Sequence, residues 1–313
     1  MVIDRVESGE LAAQHHEVLA RPASVLPIRR ALMVPVALVV FVLAWEGYKA
    51  VGPQDGADIF GWRLIPRAND RAMPHVVDMF RRFARPEVRG VNQRTVLAAV
   101  ADATWYSFRV AMLGFALGVV AGLLLAMVMA RFNLARKALL PYLVVSQTVP
   151  LVALAPLTVS WGGKLNLGGF EFQKWMSAAL LSAFLAFFPV AVGALRGFAS
   201  PKESSLELLD SYAASWIQGF RKLRFPSAVP YLVPALKLAG ALSVVGVVVS
   251  EISIGLRFGI GRLILSYYQE ATADPAKVYT AVIGAVVLGL VMAGLVALID
   301  RILTRNRPVE LTT

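Results

Sequence analysis

Apolar and polar positions along this chain fall into long blocks. Apolar runs near twenty residues cover about 31–51, 104–130, 138–160, 175–197, 231–253 and 279–300. At 1.5 Å per residue such runs match the hydrocarbon thickness of a bilayer. Lipid offers no partner for a free backbone N–H or C=O, so each run is predicted to be a helix. The first run is too long for a signal-peptide core and lacks a small-residue cleavage site, so it reads as a retained span. Glu46 and Lys49 lie near its end, where long side chains reach the interface. The expected fold class is therefore all-α and polytopic, with about six transmembrane helices.

Finer patterns sit inside and between the runs. Gly114, Gly118, Ala121, Gly122 and Ala126 recur at three- and four-residue steps, a spacing that lets helix backbones approach closely in lipid. Pro141, Pro150 and Pro156 predict a kinked or broken third span. In 74-PHVVDMFRRFA-84, Val76, Val77, Phe80 and Phe83/Ala84 share one helical face, with Asp78, Arg81 and Arg82 turned away. That pattern suits a short helix lying on the bilayer surface. The string 161-WGGKLNLGG-169 reads as a flexible turn.

A charged, aromatic island, 206-LELLDSYAASWIQGFRKLRFPSAVPYLV-233, interrupts the apolar blocks. Leu206, Leu209, Ala213, Trp216 and Phe220 fall on one face of a helix predicted over 206–220. Ser200-Pro201 is a plausible entry, and Glu203, Glu207 and Asp210 lie in the first turns, where the helix dipole favours negative charge. The basic run 221-RKLRF-225 follows, with Pro226 and Pro230 marking a break before the next span. Periodicity alone leaves three readings: a helix among lipid headgroups, a solvated loop, or a helix docking into a partner's groove.

Composition agrees with a membrane protein: 58% hydrophobic and 16% charged over 313 residues, with a mean hydropathy of +0.65. The net charge of +11 reads as Lys and Arg flanking spans rather than as a nucleic-acid surface. Placing both termini in the cytoplasm puts fifteen Lys and Arg on that side and thirteen on the other, with Arg131, Arg136 and Lys137 in one very short loop. No cysteine is present, so thiolate chemistry and disulfides are excluded. The three histidines, His15, His16 and His75, form no metal motif. HExxH and GxxxxGK[ST] are absent, which argues against an enzyme and against nucleotide binding by this chain.

With these residues in view, the island resembles the cytoplasmic loop of binding-protein-dependent ABC importer permeases, which runs E-A-A, three residues, G, nine residues, I-x-L-P. Aligned on Pro226, Glu207 takes the glutamate position, Leu208 and Leu209 replace the alanines, and Ala213 replaces the glycine. Ala214, Ser215, Gln218, Phe225-Pro226 and Pro230-Tyr231 resemble the branch importing nitrate, sulfonates and related small solutes. The stretches 147-QTVPLVALAPLTVSWGG-163, 107-SFRVAMLGFALGVVAGLLLAMVMAR-131 and 259-GIGRLI-264, with Trp45-Glu46 and Glu251, are similar to that branch as well. The resemblance covers about 30–305. Losing the glycine departs from the pattern, because alanine resists a left-handed backbone.

The resemblance implies a methionine-importer-like, type I permease fold. It also implies a permease dimer, a homodimer by preference, with two ABC ATPase subunits and an external solute-binding protein. ATP and magnesium would sit on the ATPases, leaving this chain without a cofactor or catalytic residue. The implied division is a cytoplasmic tail at 1–30, a first span with an external interfacial segment at 31–103, a core at 104–303 with a coupling loop at 198–230, and a tail at 304–313. The coupling residues would be Glu207 as a helix-end anchor, then Leu208, Leu209, Ala213, Ala214, Ser215, Trp216, Phe220 and Pro226, with Arg221, Lys222 and Arg224 steering the partner. Ser146, Gln147 and Glu251 are candidates for lining the pathway. Lys237 is read as snorkelling to the inner interface, and Trp105, Tyr106 and Trp161 as boundary aromatics. The rival readings are an ATP-independent channel or ion-gradient carrier, which calls for mid-span charge, and a non-transporting scaffold, which would copurify without ATPases. Nitrate, taurine and other sulfonates, bicarbonate and thiamine pyrimidine precursors all remain open as solutes. The 52–103 segment carries eight Arg against six acids, a net of about +2, which hints faintly at anions.

Overall fold

The computed structural model describes residues 25–59, 62–88, 94–164, 166–167 and 170–304. Most of the polar tail expected at 1–30, and residues 305–313, fall outside the described residues. Two compact units divide the chain, Met1–Val76 and Val77–Thr313.

In the first unit, helix α1 (Val25–Val51) begins earlier than the apolar run and passes through Pro35. Met33 and the residues from Val36 to Leu43 expose apolar side chains on every face, as lipid requires. The end of α1 grips the segment that follows. Trp45 Nε1 donates to the Pro74 carbonyl at 3.2 Å, and Tyr48 Oη to that of Pro66 at 2.8 Å. Glu46 accepts from the Val76 amide and pairs with His75, both at 2.8 Å. Lys49 is tied to that same segment. Its side chain is buried, bonded to the Met73 carbonyl and paired with Asp70 at 2.5 Å. That ammonium holds the Asp70 carboxyl below the usual carboxylate range. Strands β1 (Ala57–Ile59) and β2 (Trp62–Ile65) pair antiparallel.

The second unit opens with α2, which starts at Val76 and ends at Phe83. Val77 and Phe80 stay exposed, as a surface helix on lipid requires. Arg82, expected to turn outward, is buried instead: its Nε donates to Asp274 at 2.6 Å and its Nη1 to the Pro86 carbonyl at 3.0 Å. Thr95 then caps α3 (Val96–Arg131), accepting from the Ala98 amide. The third apolar run is two helices, α4 (Asn133–Ser146) and α5 (Leu151–Gly162), meeting at 105° across a break that ends in Pro150. The expected fracture is therefore real. Strands β3 (Asn166–Leu167) and β4 (Phe170–Glu171) pair antiparallel, while positions 165, 168 and 169 of the expected flexible turn lie outside the described residues.

Helix α6 (Lys174–Phe198) leads into a short helical insert, α7 (Glu203–Ser211) and α8 (Trp216–Gly219). A wide π turn over Phe220–Arg224 then passes directly into α9 (Phe225–Ile254). The break expected at Pro226 and Pro230 does not occur. Pro226 follows the π turn directly, at the second residue of α9, and Pro230 and Pro234 lie within the continuing helix. Helices α10 (Ile260–Gln269) and α11 (Pro275–Thr304) complete the unit. Among the described residues, four helical stretches are long and apolar enough to cross a membrane, and the bent pair would supply a fifth. The sixth expected span corresponds to α1.

The core is built on close backbone approach. A Cβ on Gly118 would lie 2.6 Å from Ala186 Cβ and 2.8 Å from the Ala183 carbonyl, and one on Gly122 would lie 2.6 Å from the Phe187 carbonyl. The Gly-xxx-Gly face of α3 therefore packs directly on α6, running parallel to it. Ala121, one step off that face, is exposed. Helix α9 runs antiparallel to α6, with Gly193 against Ala235 and Gly197 against Ala228. Helix α11 runs with α3, joining Gly284 to Val100, and Met292 and Val296 to Phe115. The bundle thus has two ends. Arg131, Phe198, Phe225 and Thr304 mark one, and Val96, Lys174, Ile254 and Pro275 mark the other. Lys237, read as snorkelling, is paired across helices with Asp300 at 2.8 Å.

Candidate functional site

The insert at the first end begins where α6 stops. Ser200 Oγ donates to the Gly197 carbonyl at 2.8 Å, and Arg224 Nη1 reaches back to the Phe198 carbonyl at 2.9 Å. Carbonyls left over at the C-terminus of α6 are thereby satisfied. Arg224 is consequently an internal strut. Arg221 and Lys222 remain exposed.

The predicted single helix over 206–220 is not what forms. Helix α7 ends at Ser211, and Ala213 takes a left-handed conformation with φ of +50°. The Ala214 amide donates to the Leu209 carbonyl at 3.0 Å and the Ala213 amide to that of Asp210 at 2.9 Å. This pair of bonds is a Schellman turn, with alanine in the place usually held by glycine. Ser215 then starts α8 with a capping box: its hydroxyl accepts from the Gln218 amide at 3.4 Å, and Gln218 Oε1 accepts from the Ser215 amide at 2.7 Å. The S-x-x-Q spacing was visible in the sequence and would have located this second helix start.

Splitting the helix redistributes its apolar residues. Phe220 is buried among Met129, Leu143, Phe198 and Ala228, so it faces the chain's own core and not a partner. Its ring meets Phe198 edge-on at 4.9 Å and stacks under Trp216 at 5.2 Å. Trp216 is half-buried, with the Arg131 guanidinium 5.5 Å above it. Leu209 is half-buried and folds back within 3.8 Å of where a Gly219 Cβ would stand. Leu208, Tyr212 and Ile217 project outward, 57%, 77% and 63% exposed. Tyr212 and Ile217 were missed because a continuous helix sets them off its apolar face. Glu207 is exposed on the middle of α7 rather than at a helix end, Ala213 and Ser215 are exposed, and Ala214 and Pro226 are half-buried.

The chain matches, over residues 118–305, the protein family described as binding-protein-dependent transport system inner membrane component. The chain belongs to that family. It is accordingly a multi-pass membrane permease of the binding-protein-dependent ABC importer type. It is 34% identical to a formylaminopyrimidine transport permease protein of Halalkalibacterium halodurans, over 48% of this permease and 56% of that protein's length. It is 30% identical to a putative aliphatic sulfonates transport permease protein of Bacillus subtilis, over 63% and 67% of the two chains. Against a nitrate import permease protein of Leptolyngbya laminosa the figures are 27%, 59% and 62%.

Of the three residues expected to line a pathway, Ser146 and Gln147 sit half-buried at the fracture between α4 and α5. Ser146 Oγ donates to the Leu143 carbonyl at 2.7 Å, and Gln147 Nε2 to Ser146 Oγ at 3.3 Å. Glu251 is fully buried and faces neither water nor a second copy. Its Oε1 accepts from Ser107 Oγ at 2.6 Å and its Oε2 from the Gly261 amide at 2.8 Å. Ser107 Oγ in turn accepts from the Ile260 amide at 2.8 Å. Gly259, with φ of +113°, leaves no room for a Cβ beside the carboxylate, and a Cβ on Gly261 would come within 3.1 Å of it. The 259-GIG-261 string thus lets backbone close over a buried carboxylate.

Proposed function

We propose that this permease is the membrane-spanning subunit of an ABC importer and that the α7–α8 insert couples it to ATPase subunits. The single observation behind this reading is the trio Leu208, Tyr212 and Ile217, exposed on an insert whose own geometry is held by a Schellman turn, a capping box and the Phe198–Phe220–Trp216 stack. Large apolar side chains held rigidly at a membrane boundary are suited to fill a groove in a soluble partner. In this reading the insert faces the cytoplasm, both termini lie on that side, and two permease copies, as a homodimer, engage two ATPases carrying ATP and magnesium. An external binding protein delivers the solute. ATP-driven closure of the ATPases moves the inserts and switches the bundle between two packings that open to opposite sides. Coupling requires the ATPases to bind the two packings unequally. The permease itself performs no catalysis. Relatives named for formylaminopyrimidine, aliphatic sulfonates and nitrate leave the solute open within the nitrate, sulfonate, taurine, bicarbonate or thiamine-precursor range.

The test is to replace Leu208 and Ile217 by Asp, with charged replacements at Leu209 and Ala213 alongside. Membrane insertion is expected to persist while ATPase copurification and uptake are lost. Unchanged uptake in the Leu208→Asp/Ile217→Asp variant would reject the coupling role.

A further inference from the structure

At the end of the bundle opposite the insert, an open cavity of about 700 Å³ is walled by the first turns of α3, the turn before α10 and the start of α10 itself. Four arginines line it, Arg94, Arg109, Arg257 and Arg262, against two carboxylates, Glu87 and Asp102. Arg94 is paired with Asp102 at 2.6 Å, and Glu87 accepts from the Tyr267 hydroxyl at 3.0 Å. Arg109, Arg257 and Arg262 form no ion pair among the described residues. Three arginines that line one cavity, none of them in an ion pair, repel one another, and an anion bound there relieves that repulsion.

The helices that carry Arg109 and Arg262 are tied together beneath the cavity. Ser107, two residues before Arg109 on α3, binds both Glu251 and the Ile260 amide, while Glu251 binds the Gly261 amide next to Arg262. One buried knot therefore fixes the α3 arginine and the α10 arginine relative to each other. Glu251 lies behind Gly259, with turn backbone between its carboxylate and the cavity, and it pairs with none of the three. Arg109 stands thirteen residues into α3, roughly 20 Å along its axis from the rim. Its guanidinium lies 5.9 Å over the Trp105 ring, and it also lines a second cavity with Leu113 and Trp175, so it stands where the two hollows adjoin. Arginine's planar fork suits oxyanions.

We infer that Arg109, Arg257 and Arg262 form a binding vestibule for a small oxyanion, such as the sulfonate, carboxylate or nitrate group of a solute on its way into the bundle. The inference deepens the importer reading and rests on it for the anion's fate, though not for its binding. A phospholipid headgroup offers the same chemistry, so the experiment separates the two sources. The full-length permease is placed in nanodiscs of phosphatidylcholine alone, and methanesulfonate and nitrate are titrated at constant ionic strength against chloride, following the thermal unfolding midpoint and tryptophan fluorescence. Saturable, chloride-resistant binding is expected, weakened roughly tenfold by Arg109→Gln or Arg262→Gln, the loss of one charge-assisted partner. Arg136→Gln, at the opposite end, leaves binding unchanged and controls for net charge. Equal binding by the Arg109→Gln/Arg262→Gln variant, a response that chloride reproduces, or a response only to added phosphatidylglycerol would each overturn the vestibule. The assay needs no ATPase. Loss of anion binding with coupling intact would sink this inference alone, while persistent binding beside an uncoupled Leu208→Asp/Ile217→Asp variant leaves it standing.

Discussion

Glu251 offers the sharpest quantitative check on the fold. Its two oxygens accept one hydrogen bond each, from Ser107 Oγ and the Gly261 amide, and the Ser107 proton has no other role because its oxygen already accepts from Ile260. Glutamine in this place has one acceptor and one donor. With its oxygen toward Gly261, its amide group points at the Ser107 oxygen and the serine proton loses its acceptor. The reverse orientation sets two N–H groups facing each other. Either way one buried polar group is orphaned, at a cost of about 1–3 kcal/mol. Alanine orphans two groups and leaves a void, about 3–6 kcal/mol together. By the scaling for domains of 150–250 residues, the Glu251→Gln variant should unfold roughly 2–12 °C below the parent and Glu251→Ala about twice as far. Differential scanning fluorimetry on the purified permease reads this directly. A cycle with Ser107→Ala adds the decisive arm, since residues sharing a bond are non-additive. A Glu251→Gln variant that melts with the parent, or strictly additive effects in the cycle, would refute the hydrogen-bond assignment.

Two further outcomes follow from packing and backbone. Gly118→Val, whose side chain would drive into Ala186 and the Ala183 carbonyl, should cost about 1–3 kcal/mol or more, while Ala121→Val, which lines a 390 Å³ cavity beside Leu154 and Phe184, should be nearly silent in the same melt. Equal effects at the two positions would mean that the α3–α6 face is misassigned. Ala213→Gly should relieve about 1 kcal/mol of left-handed strain and slow proteolytic nicking of the insert, whereas Ala213→Val should speed it. Faster nicking of the glycine variant would contradict the Schellman turn.

Much of this architecture was legible because lipid enforces simple rules. The apolar runs marked the spans, the glycine steps on α3 marked its contact face, and three prolines marked the fractured third span. Less legible were charges whose partners lie far away in sequence. Arg82 is buried by Asp274, Lys49 by Asp70 and Met73, and Lys237 meets Asp300. Pattern alone buries neither Arg82 nor Lys49 and pairs none of the three, since nothing local announces a counter-charge; Lys237 stays exposed while paired. Glu251 was read as water-facing for the same reason, although the glycines that make room for it stood eight and ten residues downstream. The insert failed differently. Periodicity over 206–220 assumes one helix axis, and a single left-handed alanine rotates everything beyond it, turning Phe220 inward and Ile217 outward. Alanine gives no warning of that conformation.

The path from Trp216 to Ile254 is one unbroken helical column of 39 residues, π turn included, roughly 58 Å from tip to tip. Its lower tip belongs to the insert and its upper tip carries Glu251, the knot that seats the arginine-bearing turn. Tilting such a beam displaces both tips in opposite senses unless it flexes between them, and Pro230 and Pro234 are the obvious points of give. If the insert moves as proposed, leverage between the two remote surfaces would need no relay of side chains, only this column seated against Gly193 and Gly197 of α6.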